Sequence, residues 1–192
     1  MSHQDRRRAH LIAGAFALAA LTPVAARAQE AFDAKSAAHV RTEFVADMDT
    51  LHAKITALAK AIPADKYNWR PAPGVRSVSE ALMHVASEWY YWAPMSMAGK
   101  PPADFGDAKT KIPSLEKDYT TKDAVLAQLD KSWAHCETQM KAADPSTLTG
   151  KYKPWNMTVD AAAFGMAGDL HEHLGQLIAY SRSVGVKPPW SK

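Results

Sequence analysis

Along this chain apolar residues recur at steps of three and four, and no segment alternates with the period of two that a strand requires. In the first periodic segment Val40, Phe44, Met48, Leu51, Ile55, Leu58 and Ile62 fall on one stripe. This predicts a single amphipathic helix over residues 33–62, ended by Pro63. The connection that follows holds Pro63, Pro71, Pro73 and Gly74 and reads as non-helical. A second helix, residues 77–98, opens with Ser77 and Glu80 in capping-box register. Its apolar stripe is Val78, Leu82, Val85, Trp89 and Trp92. Beside it runs a mixed stripe of Ala81, His84, Glu88, Tyr91 and Met95, so two adjacent faces of this helix look inward. A loop containing Pro113 leads to a third helix over 121–143, with Val125, Leu129, Trp133, Cys136 and Met140 as its stripe. The fourth, residues 158–184, carries Met166, Leu170, Leu174, Leu177 and Ser181, and Gly185 stands where a helix C-terminus favours glycine.

Four amphipathic helices of this length can bury one shared core, which makes the expected fold class all-α, a four-helix bundle. The connections, roughly 14 to 22 residues, exceed the usual helix–helix link of about 2 to 8. They are long enough to cross the bundle ends or to cover a site.

The extreme N-terminus belongs to a different pattern. Arg6, Arg7 and Arg8 precede an uncharged, Ala/Leu-rich run from Leu11 to Ala26, and Ala26-Arg27-Ala28 is a small-x-small cleavage site. The order reads as a secretory signal peptide over residues 1–28, leaving 29–192 as the mature domain and a periplasmic or secreted location. A membrane anchor would need about 20 consecutive apolar residues, more than this run supplies. Cleavage changes the charge balance. The whole chain has 23 basic and 20 acidic residues, and the leader takes four arginines and one aspartate with it. The mature part is formally neutral, with no basic footprint for nucleic acid and no polybasic patch to hold it on a membrane after cleavage. Cys136 is the single cysteine, so no internal disulfide can form, and its place on an apolar stripe reads as a small buried hydrophobe.

Six histidines remain in the mature part. His39, His52 and His135 lie on helices without a clustered partner and read as surface residues. Asp169 and His173 sit four apart and so project from one helical face, where a carboxylate and an imidazole can ligate one ion. A plain ion pair explains the same spacing equally well. His84, on the mixed inward stripe of the second helix, supplies a third ligand. Two imidazoles and one carboxylate with open positions suit a divalent metal: zinc, nickel, iron or manganese. Glu88, one turn beyond His84, is a fourth ligand, a group that orients a ligand, a general base, or an ordinary boundary carboxylate. His171 lies about 200° round the helix from His173 and cannot share its ion. The aromatic set Trp69, Trp89, Tyr90, Tyr91 and Trp92 reads as core before cofactor box.

Trp69-Arg70-Pro71-Ala72-Pro73-Gly74 ahead of Ser77-Val78, followed by His84, resembles the DinB superfamily. So does the last-helix run from His171-Glu172-His173-Leu174-Gly175-Gln176 to Tyr180-Ser181-Arg182, closing on Gly185 and Pro188-Pro189-Trp190. The resemblance spans about Ala37 to Ser191. It implies a four-helix bundle of unusual connectivity, often a homodimer. It also implies a three-histidine metal site, with one ligand on the second helix and a His-x-x-x-His pair on the last. His84 and His173 match two of those positions, and Asp169 stands at the third. Relatives of this kind include S-transferases and isomerases that use mycothiol or bacillithiol. The reading taken forward is an exported metal-dependent enzyme of transferase or hydrolase type acting on a small molecule. Its alternative is a non-catalytic bundle that holds a metal or small ligand.

Overall fold

The computed structural model describes residues 33–191, so the leader proposed for residues 1–28 lies outside the described residues. Six α-helices are present among the described residues: α1 Ala34–Ala61, α2 Val78–Tyr90, α3 Trp92–Ser96, α4 Ala108–Asp118, α5 Lys122–Ala142 and α6 Val159–Ser183. A two-residue hairpin, β1 Lys151–Tyr152 paired antiparallel with β2 Met157–Thr158, precedes α6. The long helices α1, α2, α5 and α6 form the bundle. Both α1 and α2 pack on α5 and α6, so the first two long helices stand at opposite corners despite being neighbours in sequence. That arrangement accounts for the links from α1 to α2 and from α5 to α6, which join opposite corners, whereas the link from α2 to its neighbour α5 is long because it holds α3 and α4.

The stripes do what their period requires. Val125, Leu129, Trp133, Cys136 and Met140 of α5 are all buried, as are Met166, Leu170, Leu174 and Leu177 of α6. In α2 nearly every residue is buried, which places it at the centre of the molecule. Burial pushes the Cys136 thiol well above its ordinary range, in keeping with a packing role.

The ends of the helices are fixed by side chains and glycine. Ser77 Oγ accepts from the Glu80 amide at 3.2 Å, and Glu80 Oε2 accepts from the Ser77 amide at 2.7 Å. Arg70 donates to Glu80 Oε1 at 2.9 Å and to the Val75 carbonyl at 2.6 Å, so the Trp-Arg-Pro turn clamps the start of α2. At the end of α6, Gly185 has φ +81°. The Val186 amide bonds the Ser181 carbonyl at 2.8 Å and the Gly185 amide bonds the Arg182 carbonyl at 3.0 Å, a Schellman closure.

Two expectations are corrected. The second helix does not run unbroken to residue 98; it stops at Tyr90, kinks at Tyr91 and resumes as α3. Pro94 has no amide to give the Tyr90 carbonyl four residues back, and its ring clashes there. The segment around Pro113 is a helix rather than a loop: α4 contains that proline and packs against α2. Asp107 caps it, and Ile112 and Leu115 give it an inward face.

Candidate metal centre

Because α2 and α6 are adjacent corners of the bundle, their apolar stripes share one core and their polar stripes meet beside it. His84 and Glu88 project from α2, His173 and Asp169 from α6. Glu88 is almost fully buried between the two imidazoles: its Oε1 lies 3.2 Å from His84 Nε2 and 3.2 Å from His173 Nε2. One donor atom from each of His84, Glu88 and His173 falls within 4.8 Å of the others. Asp169 stands at the solvent side, half-exposed, with Oδ2 3.9 Å from His173 Nε2. The four groups line or adjoin a cleft of about 470 Å³ whose wall includes Trp92, Trp155 and Met166.

The other ring nitrogens are anchored. His84 Nδ1 bonds Glu116 Oε1 at 2.8 Å, and Arg76 holds the same carboxylate through two contacts of 3.0 and 3.1 Å. His173 Nδ1 meets Gln176 Oε1 at 3.2 Å. The Gln176 amide in turn donates to the Tyr180 hydroxyl, which donates to the Arg76 carbonyl, each at 3.1 Å. Both imidazoles therefore present Nε2 to one point, with Nδ1 fixed by a side-chain oxygen. This is the disposition that metal-binding histidines show.

Without an ion the charges neutralise one another. Burial draws His84 down, but Glu116 and Glu88 outweigh it and hold the imidazole up at about 9. His173 is raised chiefly by its bond to Glu88. Glu88, which burial alone would push up, is held down at about 2 by His173 and His84. Asp169 is pushed up to about 6 by burial and by the negative charge of Glu88. The donor set also fits a cation. Glu88 Oε2 is buried and finds no hydrogen-bond partner among the described residues, an orphan that a bound ion would satisfy. Two imidazoles and carboxylate oxygens are the ligands that divalent transition metals take.

A family model described as the DinB superfamily matches residues 47–177. The chain belongs to the DinB superfamily. The match runs from the middle of α1 into α6 and so includes all four groups of the cleft. A search of curated proteins finds no match.

Within this DinB bundle the structure brings His84 and His173 together as the sequence suggested, and it places Glu88, rather than Asp169, midway between them. Asp169 stays at the rim of the same cleft. His171 points away and meets Asp47 at 3.1 Å, in keeping with its helical phase. Glu116 is the participant that sequence reasoning missed. It lies on α4, the segment that Pro113 made look like a loop; the spacing of Ile112 and Leu115 was the available signal.

The remaining histidines divide. His39 is exposed beside Glu43, whereas His135 is half-buried with Nε2 2.8 Å from the Lys100 carbonyl. His52 is a correction. It is half-buried, stacked on Trp133 at 4.3 Å with the rings 3° apart, and edge-on to Trp89. Position 52 flanks the buried Leu51–Ile55 stripe, where the two large indoles of α2 and α5 reach over it. Of the aromatic set, Trp89 and Tyr90 are buried core, whereas Tyr91 and Trp92 are half-buried, Trp92 against the cleft.

Proposed function

We propose that this DinB-superfamily protein is a metal-dependent enzyme of transferase or hydrolase type acting on a small molecule. In this reading His84, His173 and Asp169 hold a divalent ion (zinc, nickel, iron or manganese), with Glu88 as the buried carboxylate between the imidazoles. The observation that carries it is the convergence of two anchored Nε2 atoms on the buried Glu88 carboxylate, whose second oxygen is orphaned, beside an open cleft. A bound ion would supply Lewis-acid chemistry, holding a thiol or water in its deprotonated form near neutral pH.

The chain's own residues do the rest. Glu116 and Gln176 keep both imidazoles turned toward the ion. The half-exposed Asp169, pushed up to about 6 by burial and by the charge of Glu88 while no ion is bound, would give up its proton to the solvent side of the cleft as an ion arrives. The proposal also has the enzyme working outside the cytoplasm, as a homodimer, after loss of residues 1–28. The leader pattern supports export, and family resemblance supports the dimer. No helix among the described residues is long and apolar enough to cross a membrane.

Metal titration with elemental analysis tests the site. The wild-type protein should bind one zinc or nickel ion per chain. His173→Ala and His84→Ala should abolish stoichiometric binding, while His171→Ala leaves it intact. Equal retention by His173→Ala and His171→Ala would remove the basis for an enzyme. An N-terminus at Gln29 on protein recovered from the native cell envelope is the outcome expected for export. An intact leader there would contradict it.

A further inference from the structure

The cleft has a wall that the metal groups do not use. Trp92 begins α3, immediately after the kink that Pro94 imposes, and Trp155 comes from the turn between β1 and β2. Their indoles are stacked on one another, 5.7 Å apart and 28° from parallel, and both line the cleft beside His84, Glu88 and Asp169. Neither ring is free to collapse into the core. Trp155 is braced edge-on by the buried Tyr152 at 5.0 Å, and Trp92 is set edge-on to Tyr91 at 4.7 Å. The hairpin that carries Trp155 is itself tied to α6, through Val159 N–H to the Gly150 carbonyl and Asp160 N–H to the Leu148 carbonyl, both 2.9 Å. Two stacked indoles left half-exposed at a cleft mouth can take a further planar group against an outer ring face.

Charge narrows the partner. The lining contains Glu88 and Asp169, and among the described residues no lysine or arginine belongs to it. A divalent ion would offset those two carboxylates but leave no surplus positive charge for an anionic substituent. The cleft, at about 470 Å³, has the size of a small-molecule site.

We infer that the substrate is an uncharged small molecule with a flat apolar group, which stacks on the Trp92–Trp155 face while its donor atom reaches the metal position. This rests on the metal-enzyme reading for the donor atom, but the stacking face stands on its own geometry, so the test has two arms.

The first uses the isolated protein before any metal is added. Phenol should shift the indole N–H resonances of Trp92 and Trp155, and benzoate at the same concentration should leave them in place. The second uses zinc-loaded protein. Benzohydroxamate should bind at least about tenfold tighter than acetohydroxamate, the difference a stacked ring supplies. Trp155→Ala should erase that preference with zinc stoichiometry unchanged, and Trp155→Phe should restore most of it. Unmoved indole signals with phenol, equal binding of benzoate, or a preference that survives Trp155→Ala would each overturn the inference. If zinc does not bind, the metal-enzyme reading fails by itself and the phenol and benzoate arm still decides whether the face binds planar neutral groups.

Discussion

At the scale of single residues, the candidate metal centre is a set of charges that compensate one another without an ion. Glu116 matters here because it holds His84 by Nδ1 and is itself held by Arg76. Replacing Glu116 with Gln keeps the shape but removes the charge that raises imidazole basicity. Metal affinity should fall by about 10- to 100-fold, the range for loss of such an outer partner, and competition titration against a chelator measures it. The pH response has opposite signs with and without metal. His84 and His173 are raised above their ordinary value of about 6.5. The stability they contribute to the metal-free protein is therefore complete below that pH and is lost as pH climbs toward about 9 for His84. A metal ion needs the same nitrogens deprotonated, so it binds better over that window. Melting curves at pH 6 and pH 8.5 should show the metal-free protein less stable at the higher pH and the zinc-induced shift larger there. A zinc shift that shrinks with rising pH would contradict this arrangement. His84 and His173 were legible from the sequence because helical phase alone places them. The central position of Glu88 was not, since it depends on how closely α2 approaches α6.

At the scale of elements, termini are where this sequence spells out its structure most clearly. The capping box at Ser77 and Glu80 and the glycine at 185 stood in the sequence and hold in the fold. Prolines were read less well. Pro63 ended α1 as expected, whereas Pro94 divided a predicted helix and Pro113 sat inside a real one. A proline's effect depends on whether the carbonyl it deprives can find another partner, and that partner is tertiary. At the end of α1 the substitute is visible. Pro63 cannot bond the Ala59 carbonyl, and the buried Tyr67 hydroxyl donates to it at 2.7 Å instead. Lys122 Nζ serves the Lys60 and Ile62 carbonyls in the same way, at 2.6 and 2.8 Å. Tyr67→Phe should cost about 1–3 kcal/mol, because it leaves a buried carbonyl unsatisfied. Urea unfolding measures it. A loss of a few tenths would mean that water reaches Ala59.

At the scale of the whole molecule, opposite-corner placement of α1 and α2 puts α2 against α6 and leaves room for α4 to back the site from outside. The four stripes were enough to give the fold class, since each needs a partner face and four such faces close a core. They could not give the order of helices around the bundle, because every stripe is apolar enough to pack on any other. The shared cleft follows from that order, which sets α2 beside α6. Anomalous diffraction from crystals grown with zinc bears on the metal centre most directly. One peak per chain should lie about 2.0–2.2 Å from His84 Nε2 and His173 Nε2, with a carboxylate oxygen of Glu88 or Asp169 completing the shell. A peak at His171 and Asp47, or no peak between α2 and α6 at saturating zinc, would contradict a metal centre there.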